Sequence, residues 1–458
     1  MSGPMALEPG GTESDALSLR LADAPGPARS APGHGAEGQA VDRLAAELAE
    51  GIGPAVHPYE VAALLESEGL TSEVIQERYG HPDLFSLASA LYERVPRAFP
   101  EPPRPADPWR PDHVRCALRG ALFALPGLAY LLAAPLWHAG RDLRVLVVAG
   151  LVSWAWGQAL GHRAHVRMAA GRREAGLTLL TGAPLGALAA TGAGALVTGS
   201  GTATGIAAAQ SVYLAAAGVL LVLGGERLLL AALTPLIAGA AALPWWDPGT
   251  VPRAALPLLS VLGAVAAAGW TLRAALGAPP VPGAARPSPL RSLPYGVFGL
   301  SAGVLVLLEG REHPYAVVVL TVSMGPAEWL LYRYRGTAVS VLRATATPAA
   351  FLLRSTGVLV LCLLLYVLPL LPAALLTGVE PAPLLLLAAT LWTALLLQAF
   401  GVAWPPAVVC LAAACGAASA TVLRSLPDSV ALTLSCGTAC LCLAACAVRL
   451  LGRPAPHA

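Results

Sequence analysis

The sequence predicts an all-α polytopic membrane protein of about twelve transmembrane helices in two six-helix halves, plus a small cytoplasmic helical domain. Three observations lead there. Of 458 residues, 56% are apolar and only 12% charged, whereas soluble domains carry about 25% charged residues. From about residue 115 to 450 the chain reads as apolar runs separated by short polar breaks, each run near the roughly 20 residues needed to cross a ~30 Å hydrocarbon layer. The basic residues, all of them Arg, gather in alternate breaks, as the positive-inside rule requires of a chain that crosses repeatedly.

Residues 1–40 are rich in Gly, Pro, Ala and Ser without helical or strand period, so they predict a disordered tail with too little apolar surface to offset ordering entropy. A small acidic helical domain is expected over 41–95. Its punctuation is Pro58 near a helix start, Gly69 after a helical run, Thr71 as an N-cap, Gly80 as a stop and Pro82 in the first turn of the next helix. The helix, glycine turn, helix rhythm from Glu60 to Tyr79 is that of a DNA-binding motif, but ten acids stand against three Arg over 41–95. A surface of that sign repels a phosphate backbone, so nucleic acid is excluded as a partner and a protein-interaction or regulatory role, or a simple cap on the membrane domain, remains. Residues 96–112 hold seven prolines and predict a stiff linker.

Twelve spans are expected at 116–137, 145–161, 175–197, 204–224, 227–243, 254–272, 292–308, 315–331, 347–371, 382–402, 407–423 and 429–448. With the N-terminus inside, fifteen Arg fall on cytoplasmic flanks, Arg115 and Arg119 among them, and five outside. One missed or invented span would scramble that bias. The tight 224–227 and 403–406 connections are where a re-entrant pair would imitate two spans. Trp245, Trp246 and Trp404 suit the interfacial aromatic belt. Residues 274–290, with Pro279, Pro280, Pro282, Pro287 and Pro289, form a cytoplasmic linker that divides the membrane region into 113–273 and 291–450, with a tail at 451–458. Two halves joined in this way is the plan of transporters in which access alternates around a central site. The first 110 residues hold no apolar run long enough for a signal-peptide core, so the first span is expected to act as the targeting signal. The localisation expected is the inner (plasma) membrane, multi-pass, with both termini cytoplasmic and the lipid bilayer as surroundings.

Charges inside spans are costly and mark candidate sites. The richest stretch is Thr321 to Arg335 in span eight, with Glu328 about one turn inside its cytoplasmic end; Arg354 in span nine is expected at similar depth and is predicted to neutralise it. Gly325 and Pro326 would loosen the helix beside them. Arg333, Arg335 and Arg343 are expected to form a cytoplasmic vestibule, and Gln158, Gln210 and Gln398 are polar positions within spans suited to lining a pathway or bonding between helices. The segment Gly161 to Arg173 resembles the signature loop of the major facilitator superfamily, with its Asp absent; His162 and His165 lie in it. Cys436, Cys440, Cys442 and Cys446 include i, i+4 pairs, but in an Ala-rich span cysteine serves as a small packing residue, and with seven of eight cysteines inside spans no disulfide framework is expected. Neither a metal site, a cofactor nor a catalytic constellation is predicted.

On the stretch Ser323-Met-Gly-Pro-Ala-Glu-Trp-Leu-Leu-Tyr-Arg-Tyr-Arg335, with the span count and length, residues 113–450 resemble the Pel-type exopolysaccharide exporters of the multidrug/oligosaccharidyl-lipid/polysaccharide flippase superfamily. The resemblance implies an inner-membrane flippase or transporter that passes a cell-surface polysaccharide or lipid-linked glycan outward alongside a cytoplasmic glycosyltransferase. The acidic domain lies outside that family pattern. Two other readings stay open: a facilitator-type secondary transporter of small molecules, and a non-transporting scaffold that recruits a glycosyltransferase through 41–95.

Overall fold

The computed structural model describes residues 35, 37–97, 111–136, 141–198, 201–245, 247–281, 288–453 and 455. The tail over 1–34, most of the proline-rich 96–112 segment, Trp246, residues 282–287 of the second linker and the last few residues lie outside the described residues. The chain forms two compact units, 1–106 and 107–458.

In the first unit five helices follow one another: α1 (Glu37–Glu47), α2 (Ala49–Ile52), α3 (Pro58–Ser67), α4 (Ser72–Tyr79) and α5 (Leu84–Arg94). Val61, Leu65, Ile75, Leu87 and Leu91 are fully buried and form its core, as helical spacing of apolar residues dictates. Gly80 ends α4 in the left-handed conformation at φ 67°, which a residue without Cβ adopts readily. Asp83 caps α5 by accepting from the Ser86 N–H, so Pro82 precedes the cap instead of entering the first turn. The ten acidic residues from Asp42 to Glu93 all lie on the surface.

The membrane unit is entirely helical among its described residues: α6 (His113–Ala124), α7 (Leu128–Ala133), α8 (Arg141–Ala170), α9 (Arg172–Thr198), α10 (Thr202–Leu223), α11 (Glu226–Ala242), α12 (Thr250–Leu276), α13 (Leu293–Glu312), α14 (Pro314–Arg343), α15 (Pro348–Val367), α16 (Leu370–Thr377), α17 (Pro381–Ala399), α18 (Trp404–Leu423) and α19 (Asp428–Leu451). Span one, His113–Leu136, is interrupted at Leu125–Gly127, where Pro126 leaves a short 3₁₀ turn between α6 and α7; proline removes a helix hydrogen bond and bends the axis. Span nine, Pro348–Thr377, comprises α15 and α16. Eleven described helices are long and apolar enough to cross a membrane. The helix at the fifth predicted span, α11, has 17 residues and is about 25 Å long at 1.5 Å per residue.

Two of the predicted breaks are helical. Residues 161–170, read as a loop, continue α8, and the turn is confined to Gly171. Likewise α14 runs on to Arg343, so Arg333, Arg335 and Arg343 extend a helix where a loop was expected. Two basic side chains close neighbouring helix ends: Arg172 donates to the Leu223 carbonyl at 3.2 Å and Arg173 to the Leu276 carbonyl, the orphan acceptors at the C-termini of α10 and α12. His162 stacks on Tyr295 at 3.7 Å and bonds Ser292. The segment that resembled a signature loop is thus packed structure. The largest buried apolar clusters of this unit separate by sequence, one drawn from 122–275 and one from 298–451, the latter around Trp392.

Candidate functional site: an ion cluster and a cavity on the same helices

Near the start of α6, Arg115 and Arg119 lie one turn apart. The Arg115 Nε donates to Glu226 Oε1 at 2.9 Å, and the Arg119 guanidinium donates to the same oxygen at 3.0 and 3.2 Å. A third Arg119 nitrogen donates to Glu328 Oε1 on α14 at 2.5 Å. Glu226 is 6% exposed, so its charge is withdrawn from water and the two guanidiniums supply the compensation a buried carboxylate needs. The cluster therefore ties the beginnings of spans one and five to the middle of span eight. Beside it the backbones of α6 and α14 almost touch. A Cβ on Gly120 would stand 2.9 Å from the Gly325 nitrogen, and one on Gly325 2.8 Å from the Cys116 carbonyl oxygen. His113 accepts from the Trp329 indole N–H at 2.9 Å one turn further along. Glycine at both positions permits this approach, as small residues do between membrane helices.

The same three spans also line a cavity of about 770 Å³. Phe123 to Leu136 of span one, Leu146 to Trp154 of α8, Thr202 to Leu214 of α10, Leu233 and Leu236 of α11, Arg253 to Val261 of α12 and Val317 to Thr321 of α14 contribute its wall. Pro126 and Gly127 lie in that wall, so the break in span one shapes the space. Tyr130, Leu258 and Val318 are exposed, so the cavity reaches the surface. Most of the lining is aliphatic or aromatic. Three buried polar atoms in it lack a hydrogen-bond partner: Gln210 Oε1, the Tyr213 hydroxyl and the Ser260 hydroxyl. Buried polar groups are usually satisfied, and a largely apolar pocket with a few convergent polar groups is the usual form of a ligand site.

The predicted site residues divide accordingly. Gln210 lines the cavity, and its amide nitrogen lies over Gly150, where a Cβ would approach to 2.8 Å. Glu328 lies in the ion cluster, but its partner is Arg119. Arg354 is exposed and reaches back to the Ala344 carbonyl at 3.5 Å, and no ion pair joins it to Glu328 among the described residues; the expected pairing of spans eight and nine is replaced by that of spans eight and one, because the glycine contact draws α6 against α14. Arg335 bonds the Ala399 carbonyl and covers Phe400, while Arg333 stands over Trp329. Arg343 is exposed at the end of α14. Gln158 packs against Gly299 between α8 and α13, and Gln398 is buried with its Nε2 unpartnered. These last five do not meet at one site.

Sequence reasoning missed Glu226, which sits beside the tight turn between spans four and five, and counted Arg115 and Arg119 only as flank. It also missed Tyr213 and Ser260. The i, i+3 spacing of Gln210 and Tyr213 on one helix face was a readable signal.

No protein-family model and no curated protein matches this sequence. Among solved structures the chain is similar to "MATE in the bent conformation" (14% identity, TM-score 0.44) and to an outward-facing multidrug resistance MATE family transporter of the MOP superfamily (15%, 0.44); each alignment covers 75% of this chain and 97% of the other. It is also similar to MATE in complex with MaD3S, at 16% identity and a TM-score of 0.40, over 75% of this chain and 98% of that one. Overlaps of this degree bear on neither substrate nor mechanism.

Proposed function

We propose that the chain is a membrane transporter of the flippase type, with the cavity as its substrate chamber and the Arg115–Arg119–Glu226–Glu328 cluster as a closed gate. The observation that carries this reading is the shared framework. Spans one, five and eight each hold a cluster residue and each line the cavity, with Glu328 about two turns from Thr321 along α14, so separating α6 from α14 would open the cluster and alter the chamber together. Alternating access needs such a coupling. The Arg distribution supports a cytoplasmic gated end with both termini inside, which fits the inner-membrane location expected of such a chain. The finer assignment, outward passage of a cell-surface polysaccharide or lipid-linked glycan in company with a cytoplasmic glycosyltransferase, rests on the resemblance carried by Ser323 to Arg335. The scaffold reading draws its support from Tyr59 and Phe85, which meet edge to face on the acidic unit although 67% and 56% exposed; contiguous exposed aromatic surface of this kind marks contact sites.

The test is to hold the gate shut. In a chain otherwise free of cysteine, His113→Cys and Trp329→Cys, whose side chains meet across α6 and α14 beside the cluster, are joined by a reducible bifunctional thiol reagent. Secretion of surface polysaccharide by cells depending on this chain is expected to stop on cross-linking and resume on reduction. Undiminished secretion with the cross-link in place would refute the transporter reading.

A further inference from the structure

The polar atoms of the cavity define what it accepts. Arg253 is the one charged side chain among its described lining residues, and its guanidinium is already engaged, by the Pro248 carbonyl at 2.9 Å, the Leu132 carbonyl at 2.9 Å and Asp247 at 2.7 Å. An anion therefore finds no free cation there, and an organic cation no carboxylate among those residues. What is free is neutral. Gln210 Oε1 accepts, and the Tyr213 and Ser260 hydroxyls donate or accept. Gln210 and Tyr213 stand one turn apart on α10 and Ser260 on α12, and all three belong to the wall of this one cavity. Apart from Tyr130, Thr202 and Thr321, the remaining wall is hydrocarbon and ring surface, with Phe123, Leu146, Trp154, Leu214, Leu236 and Val261 prominent in it. Water is poorly held by such a wall, because it needs about two to four polar partners at one point. The volume falls in the range of about 300–1,000 Å³ typical of sites that enclose a small molecule.

We propose that this cavity is a binding site for a neutral amphiphile, a hydrocarbon body ending in hydroxyl groups, seated with its hydroxyls on Gln210, Tyr213 and Ser260. The assignment deepens the transporter reading by naming the part of a substrate the chamber holds: an apolar chain with an uncharged head. A charged or extended glycan portion has to lie outside it.

The test uses the full chain in nanodiscs and three photoreactive diazirine probes of equal chain length: a monoacylglycerol, a fatty acid and a quaternary ammonium amphiphile. The monoacylglycerol is expected to label residues 123–136, 205–214 and 253–261 and to be displaced by unlabelled monoacylglycerol, with the two ionic probes labelling these segments at least about tenfold less. Ser260→Phe, which removes this hydroxyl and puts a bulky ring at the head-group position, is expected to abolish that labelling. Tyr213→Phe, which keeps the ring and removes one hydrogen bond, is expected to weaken it about threefold to tenfold. Equal labelling by all three head groups, or labelling that survives Ser260→Phe in a monodisperse protein, overturns the proposal. The cross-linking experiment separates the two readings. Selective labelling with secretion unaffected by the cross-link leaves a lipid-binding membrane protein that is not a transporter. Cross-link-sensitive secretion with unselective labelling leaves a transporter whose chamber takes other substrates.

Discussion

Arg119 donates to carboxylates from two different helices, and this determines what each deletion leaves behind. Removing Glu226 strands two guanidiniums beside a buried position, with only Glu328 remaining. Glu226→Gln is expected to destabilise the chain by about 3 kcal/mol, the lower end for breaking a buried pair, because Arg115 is half exposed and recovers water. Glu328→Gln retains an oxygen that can accept from Arg119, so about 1 kcal/mol is expected. Denaturant unfolding in detergent would rank the two; an equal loss would show that the cluster does not act through Glu226. A double-mutant cycle separates the partners of Glu328. Arg119→Leu with Glu328→Gln should show a coupling of about 1–3 kcal/mol, and Arg354→Leu with Glu328→Gln additivity within about 0.5 kcal/mol. The sequence made Glu328 visible, since a carboxylate within a span is rarely idle. Its partner was not legible, because one chain offers many Arg at similar depth and only the tertiary contact at Gly120 and Gly325 selects among them. Glu226 was hidden for a related reason: next to Arg227 and two glycines it reads as a solvated turn, and its burial depends on α6 lying over it.

For the helices, the contact of α6 with α14 is the one, among the described residues, where a Cβ would come within 3.0 Å of a neighbouring helix's backbone. At Gly325 a Cβ would meet the Cys116 carbonyl oxygen, and at Gly120 the Gly325 backbone; neither obstacle is the tip of a flexible side chain, so the helices themselves must part. Elsewhere the obstruction is softer. A Cβ at Gly303 meets only the end of the Leu151 side chain at 2.7 Å, which another rotamer can clear. Gly325→Ala is therefore expected to pry open the gated end, and Gly303→Ala to be tolerated. The readout is the thiol of Cys116, 4% exposed. With the other cysteines replaced, a membrane-permeant maleimide should modify it much faster in Gly325→Ala than in the parent or in Gly303→Ala. Unchanged protection of Cys116 would mean that the helices accommodate the methyl without separating. Periodicity and hydropathy disclosed that these helices exist but not their ends. Apolar runs register only the part of a helix that faces hydrocarbon, so the polar last turns of α8 and α14, beyond Gly161 and Leu331, looked like loops although their backbones remain helical. The cavity was illegible at this scale, since its three unpartnered polar groups are spread over two spans and each is an ordinary residue in isolation.

At the level of the whole molecule the point on which topology turns is α11. Its seventeen residues reach about 25 Å, short of a ~30 Å hydrocarbon layer but within what flanking residues and local thinning can absorb. If α11 crosses, the chain has twelve spans, the Arg bias holds from end to end, and the ion cluster and the cavity mouth face opposite sides of the membrane. If instead it folds back as a re-entrant segment, every later helix is inverted, the Arg excess after residue 250 moves to the outer face, and the gate loses its counterpart. The two cases differ at positions only a helix apart. Single cysteines placed at Gly224, in the left-handed turn before α11, and at Asp247, which is 90% exposed along its side chain, should react with a membrane-impermeant maleimide from opposite faces of sealed vesicles. Asp247→Cys is expected to label in intact right-side-out vesicles and Gly224→Cys only after permeabilisation. Labelling of both from one face would remove α11 from the spans and with it the gate and chamber arrangement, because Glu226 and Leu236 could no longer lie at opposite depths.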